Sequence, residues 1–215
     1  MLKEMTQQHT TDGVFVYVAE FDDGVEVKDV LPSVRNEAIA EARDPKLKRQ
    51  RYCVWRLLDY ALRDVVGKGV ADLTFAKNEF GKWSCEVAHI SLSHSAHAVS
   101  VAVSVTEGVG VDLEFVDNAN FNSRLAERIL TQKELFVYNN VTREEQVRLL
   151  AEFWTKKEAI FKRVGGAVFS PSAIDTQNDS IFSQFLHLSD GTCCLAVSTA
   201  NNLPVVFRPI VNLEW

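Results

Sequence analysis

The sequence predicts an α+β protein made of two similar halves. Three features predict it: strictly alternating segments at 98–105 and 109–115, helix-rich segments at 33–66 and 123–164, and a faint internal repeat relating the two parts of the chain. The overall composition fits a packed domain. A charged fraction of 24% and an aromatic fraction of 10% are those of an ordinary globular protein, which excludes a disordered or fibrous chain. The net charge of -6 argues against a broadly basic nucleic-acid or membrane binder.

Read in order, residues 14–19 (VFVYVA) form a first buried strand. Residues 33–66 are helical and carry a concentrated basic run, KLKRQRYCVWR, with Lys46, Lys48, Arg49, Arg51 and Arg56. In 98–105 Val99, Val101, Val103 and Val105 share one face. After the short turn Thr106-Glu107-Gly108, Val109, Val111, Leu113 and Phe115 alternate again, which predicts a hairpin with one aliphatic face. The opposite face of 109–115, continued from Gly108, holds Gly110, Asp112 and Glu114: two glycines that leave room for something large to approach, then two carboxylates that meet it. The pattern from 123 to 164 is helical, with 145–164 the longest element and Gly165-Gly166 its stop signal. Strands near 181–188, 192–199 and 204–211 close the chain.

The repeat appears when Trp55…Asp59…Arg63…Gly67 is laid over Trp154…Glu158…Lys162…Gly166 at an offset of 99, and 94–104 over 188–198 at an offset of 94. Two α+β halves follow, 1–108 and 109–215, with a cleft between them as the natural ligand site. On this overlay Asp59 and Arg63 mark a vestigial, metal-free counterpart of Glu158 and Lys162.

The N-terminus lacks the apolar core of a secretory signal, and no stretch approaches 18 uncharged apolar residues, so a cytoplasmic protein without a membrane helix is expected. Cys53, Cys85, Cys193 and Cys194 make no zinc spacing and read as small core hydrophobes in a reducing compartment. The cluster Cys85, His89, His94 and His97 fits no standard zinc site either. P-loop, dinucleotide-binding, serine-hydrolase and zincin motifs are absent.

Three constellations remain. Asp112 and Glu114, at i and i+2 of a strand, put their backbones about 7 Å apart on one face, within reach of one divalent ion. Glu158 and Lys162 share a helix face at i and i+4, beyond Trp154. A third carboxylate beside the strand pair would complete a hard-cation site suited to Mg²⁺ and substrate phosphates. The segment SLSHS (91–95) adds a Ser-His pair able to hydrogen-bond phosphate oxygens, with no nearby Asp for a nucleophilic triad.

The combination GVDLE (110–114), FWTKKEAIFK (153–162) and SLSHS (91–95) resembles the signature of the 4'-phosphopantetheinyl transferases, in particular the larger, pseudo-dimeric, monomeric type that activates surfactin synthetase. The resemblance covers roughly residues 46–175. It implies an α+β pseudo-dimer with the active site in the cleft between its halves. The implied activity is of the holo-[acyl-carrier-protein] synthase type: Mg²⁺-dependent transfer of 4'-phosphopantetheine from coenzyme A to a serine of an apo acyl or peptidyl carrier protein, an acidic partner, with release of 3',5'-ADP. Asp112, Glu114 and Glu158 match the acids that hold Mg²⁺, and Lys162 the lysine near the phosphates that assists the leaving group. Glu158 is the candidate general base. Ser93 and His94 match the pair that binds coenzyme A phosphates. Phe80-Gly81-Lys82 resembles an element that places Lys82 near the adenine or pyrophosphate. Lys48, Arg49 and Arg56 fall where the family binds the 3'-phosphate, and Glu134 matches a further acidic position. Trp83 stands where the family has Pro, Leu92 where Asn is common, and Gly165-Gly166 lacks the lysine of the family's GKG turn. A coenzyme A-binding module without transfer, and a Mg²⁺-dependent nucleotide phosphohydrolase, are the competing readings.

Overall fold

The structure, a computed structural model, describes residues 13–28, 31–177, 180–208 and 210–215; the N-terminal segment read for a signal sequence lies outside these. In chain order the elements are β1 (Val14–Glu20), α1 (Ser33–Ala40), α2 (Pro45–Val66), β2 (Phe75–Lys77), β3 (Trp83–Cys85), β4 (His89–Ser95), β5 (Ala98–Ser104) and β6 (Val109–Phe115). Then follow α3 (Ser123–Ile129), α4 (Gln132–Asn139), α5 (Arg143–Val164), β7 (Ile181–Leu188), β8 (Gly191–Thr199) and β9 (Val205–Phe207). The fold is mixed α+β.

Local chemistry sets the helix limits. Asp44 accepts the Lys46 N–H at the start of α2, Pro45 fits the first helical position, and Gly67 at φ 73° ends the helix. Thr142 and Glu145 form a capping box at α5, and Gly165, also at φ 73°, closes it. The helical reading of 33–66 thus splits at Asp44-Pro45, because the residue before a proline is driven out of the helical region.

One sheet has the order β4-β5-β1-β9 and another β6-β8-β7. Period-2 alternation gives each strand two faces. Val14, Val16, Val18, Ala98 and Ala102 of the first sheet pack against Val109, Val111, Leu113, Cys193, Leu195 and Val197 of the second. The other face of the first sheet, with Phe15, Tyr17, Val99, Val101 and Val103, receives Trp55, Leu58 and Leu62 of α2. Helix α5 packs on the outer face of the second sheet, against β6 and β8. The layers run α2, sheet, sheet, α5.

The predicted hairpin at 98–115 does not form: β5 pairs with β1 and β4, while β6 pairs with β8. The turn between them is instead drawn across to the end of β8. There the Glu107 carboxylate accepts the N–H groups of Ala200 and Asn201, each at 2.9 Å. Alternation announces a strand but not its partner.

The two long helices align in the structure at an offset other than 99. The N-caps Asp44 and Thr142, and likewise the C-caps Gly67 and Gly165, stand 98 residues apart. Buried Tyr52, Cys53, Leu57 and Ala61 then correspond to buried Leu150, Ala151, Thr155 and Ala159. Asp59 and Arg63 are therefore not the counterparts of Glu158 and Lys162. They serve a local purpose: Asp59 takes the Arg63 guanidinium at 2.9 Å and the Val70 N–H at 2.7 Å. The offset of 94 fails for a similar reason, since it equates Val99, facing α2, with Cys193, facing the other sheet.

The cysteines are free, as core hydrophobes should be. Cys53, Cys193 and Cys194 are buried, and burial pushes each thiol up to about 12. Among the described residues no helix is long and apolar enough to cross a membrane.

The large body that the glycine face of β6 admits is helix α5. A Cβ on Gly110 would lie 1.9 Å from the Ala159 carbonyl oxygen and 2.6 Å from the Arg163 nitrogen, both backbone atoms. At Gly108 the nearest atom would be Arg163 Cγ at 4.0 Å. Gly110→Ala should accordingly destabilise the protein by about 1–3 kcal/mol or more in urea unfolding, because α5 must shift, while Gly108→Ala should stay within about 0.5 kcal/mol. Equal effects would contradict the packing described.

Candidate functional site

The site forms where β4, β6 and α5 meet. Strand β4 is the edge of the first sheet, and Ser91, Ser93 and Ser95 lie on the side that faces β6. The N–H of Val111 donates to the Ser91 hydroxyl at 2.9 Å, and that of Leu113 to Ser93 at 3.3 Å. Ser93 in turn donates to Asp112 Oδ1 at 2.7 Å, and Ser95 to Glu114 Oε2 at 2.9 Å. From the helix side Lys162 donates to the same Asp112 Oδ1 at 2.6 Å and to Ser93 at 3.0 Å. Asp112 is 2% exposed, and its Oδ2 is buried without a hydrogen-bond partner.

Sharing a small, poorly hydrated space affects the acids. Burial, and then the charge of Asp112, push Glu114 up to about 7 and raise Glu158 as well. Like charges that raise one another call for a cation. Lys162 supplies one on Asp112 Oδ1, and the unpartnered Oδ2 leaves a second lone-pair direction open. Among the described residues no three His, Cys, Asp or Glu side chains are gathered tightly enough to hold an ion as they stand. The donor chemistry of Asp112, Glu114 and Glu158, all carboxylate oxygen, nevertheless fits a hard divalent cation such as Mg²⁺.

His94 leaves β4 on the face opposite Ser93. Burial, then the fields of Lys162, Arg35 and Arg51, lower it to about 4, so it is neutral at pH 7. Arg35, on α1, was not among the residues singled out from sequence. It is an isolated arginine outside the basic run, and only the packing of α1 on α2 brings it beside Trp55 and His94. Of the basic run itself, Arg49 is paired with Asp23 at 2.5 Å. Arg56 reaches the Glu214 carbonyl at 3.4 Å and lies over the Tyr52 ring. Lys48 lies half-buried near the start of α2.

Beside Lys162 opens a slot of about 180 Å³, walled by Phe80, Lys82, Trp83, Leu92 and Phe161 and bordered by Gly165-Gly166. Lys82 bridges it, donating to the Arg163 carbonyl at the end of α5. Burial, then the charge of Arg163, lower the Lys82 ammonium from its ordinary value.

Glu134 is set apart from this cluster. It is fully buried, takes the Lys157 ammonium at 2.8 Å and the Thr176 hydroxyl at 2.6 Å, and caps α4 through Thr131. Burial pushes it up, but the hydrogen bonds from Lys157 and Thr176 outweigh that and hold it below the usual glutamate range. Lys157 also donates to the Pro171 and Ile174 carbonyls, so this pair ties α4 and the loop after α5 to the helix.

Comparison with known proteins bears on this geometry. A family model described as the 4'-phosphopantetheinyl transferase superfamily matches residues 108–205, from β6 through β9. The 4'-phosphopantetheinyl transferase HetI of Nostoc sp. is 26% identical over 120 residues, 51% of each protein, so the chain spans about half the length of this curated relative. The crystal structure of Thermotoga maritima holo-[acyl-carrier-protein] synthase aligns over 46% of this chain and 64% of that one, at 20% identity and a TM-score of 0.32.

The raised Glu114 gives a measurable pH signature. A carboxyl whose folded-state pKa exceeds its unfolded value stabilises the fold below the unfolded value, and that contribution is lost as pH rises through the folded one. The window here runs from 4.5 to about 7. In metal-free buffer, Glu114→Gln should become progressively more stable relative to the parent protein between pH 5 and pH 7.5, as followed by urea midpoints. A stability difference that is flat across this range would contradict the burial assigned to Glu114.

Proposed function

We propose that the chain is a member of the 4'-phosphopantetheinyl transferase superfamily, whose model matches residues 108–205, and that it transfers 4'-phosphopantetheine from coenzyme A to a serine of an apo acyl or peptidyl carrier protein. The observation that carries this reading is the seam itself: Asp112, Glu114 and Glu158 gathered under Lys162 beside an apolar slot, with His94 and two arginines next to it.

In this reading Asp112, Glu114 and Glu158 would hold Mg²⁺, which when bound supplies charge neutralisation for the coenzyme A pyrophosphate. The chain's own residues account for the rest. Glu158, made more basic by burial, accepts the proton of the carrier serine. The serine oxygen bonds to the phosphorus that bears pantetheine, and the bond from that phosphorus to the bridging oxygen breaks, releasing 3',5'-ADP. Lys162, fixed by Asp112 and Ser93, offers its ammonium to the negative charge growing on the leaving group. Arg51 and Arg35 give a positive surround beside the neutral His94, and a bound phosphate would draw the His94 pKa upward from about 4. The slot beside Lys82 and Trp83 suits the flat, partly apolar remainder of the coenzyme.

The reading extends to the architecture: a pseudo-dimer of halves 1–108 and 109–215, acting as a cytoplasmic monomer on an acidic carrier. The strand orders β4-β5-β1 and β7-β8-β6 support duplication, as do the matched caps of α2 and α5. Tyr17 and Asp112 are each the fourth residue of a seven-residue strand, and Asp64 and Lys162 each lie two residues before a helix end. Tyr17 donates to Asp64 at 2.7 Å, where Lys162 donates to Asp112 in the other half. Ala19 and Tyr60 stand where the second half has Glu114 and Glu158, so neither of these two positions offers an acid to a metal.

Incubation with coenzyme A, Mg²⁺ and an apo carrier protein, followed by mass spectrometry, should show a serine-linked gain of about 340 Da on the carrier, with Glu158→Gln slowing transfer by about a hundredfold or more. Breakdown of coenzyme A without carrier modification would instead identify a phosphohydrolase, and tight binding without either a coenzyme-binding module. Full activity of Glu158→Gln would remove its role as base.

A further inference from the structure

A second cavity, of about 390 Å³, lies away from the seam, between β1, α2 and the C-terminal segment, and its charged lining residues are Asp64 and Arg208. Three segments build it. Alternation turns Tyr17 of β1 toward α2, where Tyr60 and Asp64 stand one turn apart on the same helix face. Past β9 the chain keeps running along β1: the Arg208 N–H donates to the Val16 carbonyl at 2.9 Å, and the Val211 N–H to that of Val18 at 2.8 Å. Residues 208–212 thereby become the third wall.

The two charges meet without closing on each other. Asp64 accepts the Tyr17 hydroxyl on Oδ2 at 2.7 Å, and the same oxygen lies 3.5 Å from the Arg208 Nε. Burial, and then Asp64, raise the Tyr17 phenol, which keeps its proton as the donor. Neither contact uses Asp64 Oδ1. The Arg208 contact is not a formed hydrogen bond, since Nε has no hydrogen-bond partner, and the terminal guanidinium nitrogens remain outside it. A two-pronged arginine–carboxylate pair would have satisfied both groups. Here both stay open, Arg208 38% and Asp64 36% exposed, while the Phe15 ring, 5.4 Å from the guanidinium, supports Arg208 from behind. Around them the lining is largely apolar. The Tyr60 ring stands edge-on to Tyr17 at 6.0 Å and is 43% exposed, with Ile210 and Val211 beside it.

We propose that this cavity binds a small zwitterion, an α-amino acid with an apolar or aromatic side chain: Arg208 takes its carboxylate, Asp64 its ammonium, and Tyr60 with Ile210 and Val211 its side chain. One charge of each sign suits a ligand that also carries one of each, and disfavours a polyanion such as coenzyme A. Their adjacency matches the ammonium and carboxylate that share one α-carbon. The volume is near the lower end of the usual range for ligand pockets, about 300–1,000 Å³, which sets the size of the ligand. The inference stands apart from the transferase reading, which uses none of these residues.

The test is calorimetric titration with L-phenylalanine, 3-phenylpropionate, which lacks the ammonium, and 2-phenylethylamine, which lacks the carboxylate. L-Phenylalanine should bind with a Kd of about 1 mM or below, ordinary for a ligand of this size. Each analogue should bind about tenfold or more weakly, the loss of one charge-assisted contact. Arg208→Met should abolish the preference over 2-phenylethylamine and keep that over 3-phenylpropionate. Asp64→Asn, which retains an oxygen for the Tyr17 hydroxyl, should do the reverse. A merely structural role for either residue would not produce this crossed pattern. Saturating coenzyme A should leave L-phenylalanine binding unchanged. No binding up to about 10 mM would overturn the inference. So would analogues that bind as tightly as L-phenylalanine, variants that keep both preferences or lose both together, or displacement by coenzyme A.

Discussion

One carboxylate, Asp112, is almost fully removed from water at the seam between two sheets and a helix, and its charge must be answered there. The Ser93 hydroxyl and the Lys162 ammonium both converge on its Oδ1. Ser93 is then fully used, donating once and accepting from Leu113 and Lys162. These bonds hold the edge of one sheet against β6, and they hold α5 so close to β6 that only glycine fits at 110. Removing one partner of a buried pair leaves an uncompensated charge, at a typical cost of about 3–5 kcal/mol. The contact that makes the seam chemically capable is therefore also the one that closes it.

A second buried pair, Lys157 with Glu134, lies on the same helix and faces another way. Lys157 and Lys162 belong to the same helix but lie five residues apart, which turns their side chains roughly 140° from each other. Lys157 faces Glu134, Thr176 and the loop at 171–174, where its three protons are consumed by structure. Lys162 faces the slot, 29% exposed, with part of its hydrogen-bonding capacity still available. The acids divide in the same way. Glu134 is held ionised by a dedicated cation, whereas Glu114 and Glu158 are raised because burial and Asp112 disfavour their charge.

Much of the site was legible in sequence because its parts lie within single elements. Asp112 and Glu114 share a strand face, Glu158 and Lys162 a helix face, and period alone reveals both. What joins different elements was not legible. Valine alternation at 98–105 and 109–115 gave two strands but not their separate sheets, since Glu107 reaches residues that lie more than ninety positions away. Gly108 and Gly110 looked like room for a ligand, and the occupant proved to be α5. Arg35 carried no local signal, because its meaning comes from two tryptophans on other elements. The likeness of α2 to α5 was visible but misregistered: identical residues favoured an offset of 99, whereas caps and burial give 98.

If Asp112 is the joint between β4, β6 and α5, its two partners cannot act independently. The direct measurement is a double-mutant cycle in metal-free urea unfolding, comparing the parent protein, Ser93→Ala, Lys162→Met and the double variant. A coupling of about 1 kcal/mol or more is expected, because both groups bond each other as well as the same oxygen. Costs that simply add, to within about 0.5 kcal/mol, would contradict the placement of Asp112 at the centre of the structure.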